Sequence, residues 1–277
     1  MPTIRSSIGD LTVAGMRRLA SHPQVARRLF REVLSADTNR VFGGPDSPSE
    51  LLDFLAFAHV NRSRGNGQLL QDLWVLYETQ SREGGYFVEF GAADGISHSN
   101  TLSLERAYGW QGLLAEPNPD QSSLLHANRT ATIDCRCVWR STGEVLDLLV
   151  TADPEFSTII AEAVPDLHTS SRLQTGKAVS AETVSLNDLL SQNGSPRVID
   201  YMSVDTEGTE LEIMRHFDFS AHEVQLLSIE HNHRPESVTP LDQLMDSKGY
   251  DRRFRGFSDF DAWYRKRTTG ADRPSSD

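Results

Sequence analysis

Residues 86–95, with the sequence YFVEFGAADG, combine an apolar run with a glycine turn that carries two carboxylates, Glu89 and Asp94. Gly91 and Gly95 have no Cβ atom, so the backbone can turn sharply and a ligand can approach the main chain closely. A dinucleotide-binding turn uses the same property, but the two acids would repel a pyrophosphate. They would attract a positive charge, and the turn therefore predicts a site for a cationic cofactor such as S-adenosylmethionine.

Other acidic residues end further apolar runs along the chain. Glu116 follows residues 112–115, and Asp205 and Glu230 come at the ends of two later runs. In a doubly wound sheet, ligands bind beyond the carboxyl ends of the strands, so these acids should line one edge. An acid about twenty residues beyond a nucleotide-binding turn accepts two hydrogen bonds from a ribose diol. Glu116 is the candidate for that role.

The elements that must position these residues follow from the pattern after residue 84. Short apolar runs alternate with amphipathic stretches, which indicates an α/β fold with a doubly wound, mostly parallel sheet. The predicted strands are residues 86–90, 112–115, 131–138, 198–204 and 224–229, with a closing pair at 250–260 and 261–266. The predicted helices are residues 99–108, 119–127, 186–190, 210–216 and 241–245.

The chain divides into three parts by composition. Residues 1–83 form a predicted N-terminal helical extension, because their apolar residues recur at spacings of three and four. Residues 84–267 form the predicted catalytic domain, and residues 268–277 form a polar tail. Residues 153–176 are rich in Ser, Thr and Pro, and two alternatives stay open for them: a loop or lid near the site, or a disordered segment.

Charge and cysteine content narrow the class of protein. The formal net charge of −12 would repel a polyanion, so we expect no nucleic-acid partner. Cys135 and Cys137 fall in one predicted strand with both side chains on the same face, which favours free thiols in a reducing compartment. The N-terminal residues 1–15 have no apolar core of signal-peptide length, and no later run reaches the length of a membrane span. These features predict a soluble, cytoplasmic protein.

Three sequence blocks resemble a known family. They are FVEFGAADG at residues 87–95 followed by SNT at 99–101, GLLAEPNP at 112–119, and MSVDTEGTEL at 202–211. In this order the blocks resemble S-adenosylmethionine-dependent methyltransferases of the FkbM type, over about residues 84–235. The resemblance implies a Rossmann-like, seven-stranded sheet and O-methylation, commonly of sugar or polyketide hydroxyls.

The resemblance also implies roles for individual residues. The cofactor-binding set would be Glu89, Gly91, Ala92, Asp94, Gly95, Asn100, Glu116, Pro117 and Asp205. The acids of the glycine turn would line the methionine end of the cofactor, and Asn100 would contact its carboxylate. Glu116 would hold the ribose, and Asp205 would lie near the transferred methyl group.

Two positions depart from the commoner family pattern. Ser203 stands where many members have a lysine. The segment after the third predicted strand lacks an obvious acid for the adenine amino group, and Asp134 is the candidate nearby.

Methyl transfer to an alcohol needs an aligned nucleophile and a proton acceptor. The catalytic residues would be His231, Glu230 and Asp205, with His231 as the base because imidazole titrates near neutral pH and with Glu230 orienting it. His233 lies in the same stretch. In a second interpretation, Asp205, Glu230 and Asn232 supply oxygen ligands to a divalent metal such as magnesium, which would bind a vicinal diol and lower its pKa.

The sequence therefore predicts an S-adenosylmethionine-dependent O-methyltransferase. Its acceptor would be a small molecule or glycan, with the methyl group placed on a hydroxyl of a saccharide, glycoside or related natural product. A non-catalytic interaction module that retains the methyltransferase fold is the main alternative, and a nicotinamide-dependent oxidoreductase is another. A homo-oligomer is compatible with the sequence.

Overall fold

A computed structural model of the chain describes residues 48–150, 158–159, 176–232, 235–255 and 257–268. The predicted helical stretch before residue 48, His233, nearly all of the predicted loop 153–176 and the tail residues 269–277 lie outside the described residues. Within the described ranges, no helix is both long enough and apolar enough to cross a bilayer.

The described residues form helices and strands that alternate along most of the chain. The helices are α1 Pro48–Asn61, α2 Gln71–Glu78, α3 Leu102–Tyr108, α4 Pro119–Asn128, α5 Leu186–Gln192, α6 Glu210–His216 and α7 Pro235–Ser247. The strands are β1 Tyr86–Phe90, β2 Gln111–Ala115, β3 Thr132–Asp134, β4 Cys137–Trp139, β5 Val145–Val150, β6 Thr158–Ile159, β7 Lys177–Ser185, β8 Val198–Val204, β9 Glu223–Glu230, β10 Tyr250–Arg253 and β11 Asp261–Lys266. A short 3₁₀ helix, Arg62–Arg64, follows α1.

The main sheet has seven strands in the order β10-β11-β9-β8-β1-β2-β3. Its strands are parallel except for β11, which runs antiparallel to both of its neighbours. This confirms the predicted α/β, Rossmann-like sheet. The strand order reverses at β1, because β2 and β3 lie on one side of it while β8 and β9 lie on the other. Such a switch point opens a crevice at the C-terminal edge of the sheet, where ligands bind.

A second sheet, in the order β4-β7-β5-β6, was not predicted. The single strand predicted at residues 131–138 is wrong, because Cys135 and Arg136 lie between two separate strands, β3 and β4. Strand β4 pairs with β7 and not with the main sheet. Cys135 is consequently exposed between strands and Cys137 is buried in β4, so the two thiols do not share one strand face. The strand predicted at residues 250–260 ends at Arg253.

Helices α1 and α2 cover one face of the main sheet. Their buried Phe54 and Trp74 belong to a hydrophobic cluster with Phe87, Tyr201 and Trp263 from the sheet. The rings of Trp74 and Trp263 stack with their centroids 5.0 Å apart. The division of the chain at residue 83 stays a prediction, but residues 48–78 contribute directly to the core beneath the C-terminal edge of the sheet.

Candidate active site

Acidic residues lie side by side along the C-terminal edge of the main sheet. Glu116 directly follows β2, Gly91 directly follows β1, and Asp205 directly follows β8. Glu230 is the last residue of β9, and Asp261 opposes it as the first residue of β11. The structure therefore brings the acids of four strands together around the glycine turn, as expected for strand ends in a doubly wound sheet.

Both glycines of the turn adopt conformations that favour glycine. Gly91 has a φ of 80°, and a Cβ atom there would lie 1.6 Å from the carbonyl oxygen of Asp205. Gly95 has a φ of 75°, and a Cβ atom would lie 2.4 Å from Cδ1 of Leu125. The space left by the missing side chains is thus filled by protein atoms. The glycines allow β1 and β8 to approach, and α4 to pack against the turn.

Glu116 lies next to the glycine turn and is bound to it. Its Oε2 accepts a hydrogen bond from the Ala93 N–H at 2.9 Å, and its Oε1 accepts one from the Asn118 N–H at 2.8 Å. Burial raises the pKa of this carboxyl group even though the two N–H donors oppose the shift. Each oxygen keeps a lone pair for a further donor. Of its predicted neighbours in the cofactor site, Ala92 is buried and Pro117 is half-buried.

Glu89 points into a buried network of protein donors. Its Oε1 accepts the Asn100 N–H at 2.7 Å, while its Oε2 accepts the hydroxyls of Ser99 at 2.8 Å and Thr101 at 2.5 Å. The guanidinium of Arg129 lies 3.7 Å from the same Oε2. Glu89 therefore holds the loop after β1 in place, and the protein itself supplies most of its hydrogen-bond partners.

Asp94 stabilises its own turn. Its Oδ1 accepts the backbone N–H groups of Ile96 and Ser97, both at 2.8 Å, and its Oδ2 accepts the Ser97 hydroxyl at 3.0 Å. Burial opposes ionisation, but these donors outweigh it and lower the pKa of the carboxyl group. Asp94 thus stays charged at the mouth of the turn.

Asn100 presents a buried acceptor. Its Nδ2 donates to the Ser203 hydroxyl at 2.9 Å, whereas no donor among the described residues reaches its Oδ1. The residue is 8% exposed, so this orphaned oxygen is costly unless a ligand satisfies it. An oxygen acceptor fits an ammonium group better than the cofactor carboxylate that the resemblance implied.

Asp205 and Glu230, called the acid pair below, share a hydrogen bond between their carboxyl groups. Desolvation and the charge of Asp205 raise the pKa of Glu230 well above its ordinary value. Glu230 therefore stays protonated, and its O–H group donates the hydrogen bond to Asp205. Desolvation also raises the pKa of Asp205 to about 7, although part of that residue is open to solvent. The acid pair therefore binds or releases a proton at Asp205 near neutral pH.

Glu207 joins the acid pair, which the sequence analysis did not anticipate. One carboxylate oxygen each from Asp205, Glu207 and Glu230 lies within 4.8 Å of the others. The predicted metal set had Asn232 instead, whose N–H donates to the Phe260 carbonyl at 3.2 Å. The spacing of two residues between Asp205 and Glu207, directly after a strand, was the available signal.

His231 is buried, and its ring is held by an arginine. Its Nε2 lies 3.2 Å from Nη2 of Arg252. Because a guanidinium only donates hydrogen bonds, Nε2 accepts this one. Arg252 is in turn bound by both carboxylate oxygens of Asp242 at 3.1 Å. The Nε2 lone pair of His231 is thus engaged by Arg252.

On the side where adenine was expected, Asp134 is bound by protein groups. Its Oδ2 lies 2.6 Å from Nη2 of Arg136 and accepts the Asn193 side-chain amide at 3.0 Å. Its Oδ1 accepts both the backbone N–H and the Nε–H of Arg136, each at 3.0 Å. These donors lower the pKa of Asp134 against the opposing effect of burial.

Several solved structures resemble this chain at low sequence identity. The solved structures that resemble this chain include a methyltransferase FkbM from Methylobacillus flagellatus KT, with 12% identity, a TM-score of 0.40 and coverage of 78% of this chain and 60% of that one. A putative RNA methyltransferase from Pyrococcus horikoshii has 12% identity, a TM-score of 0.35 and coverage of 67% and 69%. The N-terminal domain of human METTL16 has 12% identity, a TM-score of 0.35 and coverage of 87% and 80%.

No curated protein matches the chain. The model of the methyltransferase FkbM domain family, however, matches residues 89–252, which is more than half of the 277 residues and includes the glycine turn, Glu116 and the acid pair. This chain therefore belongs to the FkbM family of methyltransferase domains.

Proposed function

We propose that the protein is an S-adenosylmethionine-dependent O-methyltransferase that acts on a hydroxyl of a saccharide, glycoside or related natural product. The observation that carries the proposal is the placement of Glu116 and the acid pair on either side of Gly91 at one edge of the sheet. A ribose-binding acid and a proton acceptor are the two groups that this chemistry requires from the protein. The acceptor class follows from the family resemblance, and the net charge of −12 disfavours a nucleic acid.

The hydrogen-bond acceptors and charges around the turn fit S-adenosylmethionine. Glu116 keeps a lone pair on each oxygen for the two ribose hydroxyls, and the unsatisfied Oδ1 of Asn100 suits the ammonium group. Asp94 adds a negative charge near a sulfonium-bearing ligand. Glu89 acts as a positioning residue, because its hydrogen bonds hold the Asn100 backbone. When bound, the cofactor would supply an electrophilic methyl group.

The acid pair would take up the proton of the acceptor hydroxyl. The Asp205 carboxylate would accept the hydroxyl proton when the acceptor oxygen takes up the methyl group that the cofactor would supply. Glu230, protonated, stabilises that carboxylate by hydrogen bonding until the transfer. We assign the base to Asp205 and not to His231, because Arg252 already uses the lone pair on Nε2. His231 would then position the turn after β9.

A second candidate role for the same acids is metal binding. The three carboxylates of Asp205, Glu207 and Glu230 would bring oxygen ligands to a divalent cation such as magnesium. The buried Oε2 of Glu230 receives no hydrogen bond from a nitrogen or hydroxyl of the described residues, which favours either a shared proton or a cation there. Removal of divalent metal with EDTA separates the two roles. Unchanged turnover supports the proton acceptor, and loss that magnesium restores supports the metal.

The proposal predicts different effects for two substitutions. Glu116→Gln should weaken cofactor binding about tenfold, because it removes the charge that strengthens hydrogen bonds to the ribose. Asp205→Asn should keep cofactor binding and lower turnover by roughly 10²–10⁴-fold, the usual contribution of a general base. Calorimetric titration with S-adenosylmethionine and S-adenosylhomocysteine measures the first effect. Mass spectrometry of products from a panel of glycosides, with an RNA oligonucleotide for comparison, measures the second.

Three outcomes would decide against this function. Tight binding of NAD without any response to the two S-adenosyl compounds would point to an oxidoreductase. Cofactor binding without a methylated product from any glycoside would favour a non-catalytic module. Methylation of the RNA alone would retain the enzyme class but replace the acceptor.

A further inference from the structure

A cavity of about 460 Å³ opens between two loops at the C-terminal edge of the sheet. One loop joins α1 to α2, and the other joins β10 to β11. The side chains that matter for its chemistry are Arg62, Gln68, Leu69, Leu70, Phe257 and Asp259. A cavity of this volume is typical of small-molecule sites, which span roughly 300–1,000 Å³.

The wall formed by residues 257–259 is followed directly by residues that contact the end of β9. The carbonyl oxygen of Phe260 accepts the N–H groups of His231 and Asn232, at 2.8 and 3.2 Å. The next residue, Asp261, opposes Glu230 in the pairing of β11 with β9. This wall therefore continues along the chain into Asp261, which lies across from Glu230 of the acid pair.

The other wall is tied to the predicted cofactor turn. The side-chain amide of Asn66 donates to the carbonyl oxygens of Ile96 and Ser99, at 2.8 and 2.9 Å. At Gly67, an added Cβ atom would lie 2.8 Å from Oδ1 of Asn100. The buried carboxylate of Asp72 accepts the Asn66 N–H at 2.6 Å and fixes this loop from beneath. This wall of the cavity is thus tied to the cofactor turn, while the other leads to the strand end beside Glu230.

The lining combines apolar and charged groups. The half-buried ring of Phe257 and the leucines offer an apolar surface, while Gln68 and Arg62 supply hydrogen-bond donors. Asp259 already has an interaction of its own. Arg62 is exposed, and its guanidinium contacts no carboxylate among the described residues, unlike Arg252 and Arg253 nearby. An unpaired guanidinium in a cavity is suited to donating two parallel hydrogen bonds to a carboxylate or phosphate.

We propose that this cavity binds the methyl acceptor and that Arg62 holds an anionic substituent on it, so that the acceptor is an acidic saccharide. The proposal rests on the methyltransferase function given above and specifies its substrate class. The apolar wall would contact the ring face of the sugar, and Arg62 would orient the ring so that a hydroxyl faces the acid pair. A carboxylate and a phosphate share the chemistry that Arg62 recognises.

Binding of simple sugar derivatives to the full chain tests this directly. Methyl glucuronide, glucose 6-phosphate and neutral methyl glucoside are titrated against the wild type, Arg62→Gln and Arg64→Gln, with S-adenosylhomocysteine present. Arg64 is the matched control, because its loss changes the net charge equally while its guanidinium contacts the Tyr108 hydroxyl instead of lining the cavity. Saturation-transfer NMR reports ligand binding without turnover.

At least one anionic probe should bind the wild type and Arg64→Gln about tenfold more tightly than the neutral glycoside, and Arg62→Gln should abolish this preference. Comparison of the two anionic probes identifies a carboxylate or a phosphate as the preferred group. The preference for the anionic probe should become smaller in 0.5 M salt, because salt screens the interaction of an exposed charge such as Arg62.

An equal preference in the wild type and Arg62→Gln would overturn the proposal, as would failure of both anionic probes to bind the wild type. Calorimetry with S-adenosylhomocysteine keeps this failure distinct from failure of the proposed function. If that ligand binds all three proteins but Arg62→Gln leaves the anion preference intact, only the acceptor proposal is wrong. If the wild type binds no S-adenosyl compound, the methyltransferase function itself is wrong.

Discussion

Two carboxyl groups that share a hydrogen bond cannot both ionise easily, because desolvation and like charge favour keeping one proton between them. In the acid pair, desolvation and the charge of Asp205 raise the pKa of Glu230. Desolvation also raises the pKa of Asp205, although the hydrogen bond from Glu230 opposes that shift. Burial also raises the pKa of Asp261 to about 6. The folded protein therefore holds protons that the unfolded chain releases near pH 4.

The sign of the resulting pH dependence follows from linkage. A carboxyl group with a raised folded-state pKa stabilises the protein fully below its unfolded pKa, and that stabilisation is lost as the pH rises through about 6 to 7. We expect the melting temperature of the wild type to fall between pH 5 and pH 8. Glu230→Gln should reduce this fall by roughly 2–4 °C, because glutamine keeps the hydrogen bond without titrating.

Thermal denaturation at closely spaced pH values measures the effect. Glu236→Gln in α7 is the control, because Glu236 is exposed to solvent and should leave the slope unchanged. If Glu230→Gln melts with the same pH slope as the wild type, the acid pair does not retain a proton in the folded state.

At the scale of single elements, the turn after β1 depends on close backbone approach. Hydrogen bonds from the Gly91 N–H to the Ala115 carbonyl at 3.1 Å and from the Asp205 N–H to the Phe90 carbonyl at 3.2 Å extend the pairing of three strands into the turn. The acids reach their positions only if these strand ends stay together. Glu89 and Arg129 support the same loop from the face covered by the helices.

Gly91→Ala should disrupt this arrangement. A Cβ atom 1.6 Å from the Asp205 carbonyl oxygen cannot be accommodated without moving β1 or β8, in addition to the roughly 1–2 kcal/mol that a positive φ costs alanine. Gly143→Ala is the matched control, because Gly143 has a φ of 86° and no atom within 4 Å of the added Cβ.

Chemical denaturation and calorimetric titration with S-adenosylmethionine should therefore separate the two variants. We expect Gly91→Ala to lose more stability than Gly143→Ala and also to lose cofactor binding. Equal destabilisation of both variants would mean that the steric contact at Gly91 is relieved without cost.

At the scale of the whole molecule, the N-terminal helices and the sheet form one core. Arg253 in β10 lies 3.3 Å from Glu50 in α1 and 3.4 Å from Glu78 in α2. The ring of Phe54 stacks on Phe254 at a centroid distance of 5.2 Å. Because the cavity lies between these helices and the last two strands, its shape depends on this packing.

Phe54→Ala should lower the free energy of unfolding by roughly 3–5 kcal/mol, since the side chain is fully buried and its removal leaves a cavity. Val60→Ala on the same helix is the control, because Val60 is 79% exposed. Tryptophan fluorescence during urea denaturation should follow a single transition, because Trp74 and Trp263 stack within this cluster. Two separate transitions in the wild type would instead indicate that the helices unfold independently of the sheet.

The sequence by itself determined where most of the main strands lie along the chain and which of them end in acids. The predicted bounds of β1, β8 and α6 agree with the structure, because apolar periodicity acts over a few neighbouring residues. The second sheet could not be predicted, because β4 pairs with β7 across a long separation in sequence and β7 exposes much of its surface.

Only the tertiary structure decided which of the acids could act on a ligand. Glu89 and Glu116 look alike in the sequence, yet the oxygens of Glu89 are bound by three neighbouring donors and an arginine, while those of Glu116 keep free lone pairs. The raised pKa of the acid pair and the cavity beside Arg62 likewise arise from groups far apart along the chain. Proton affinity and cavity shape depend on distances and burial in space, which local sequence patterns do not specify.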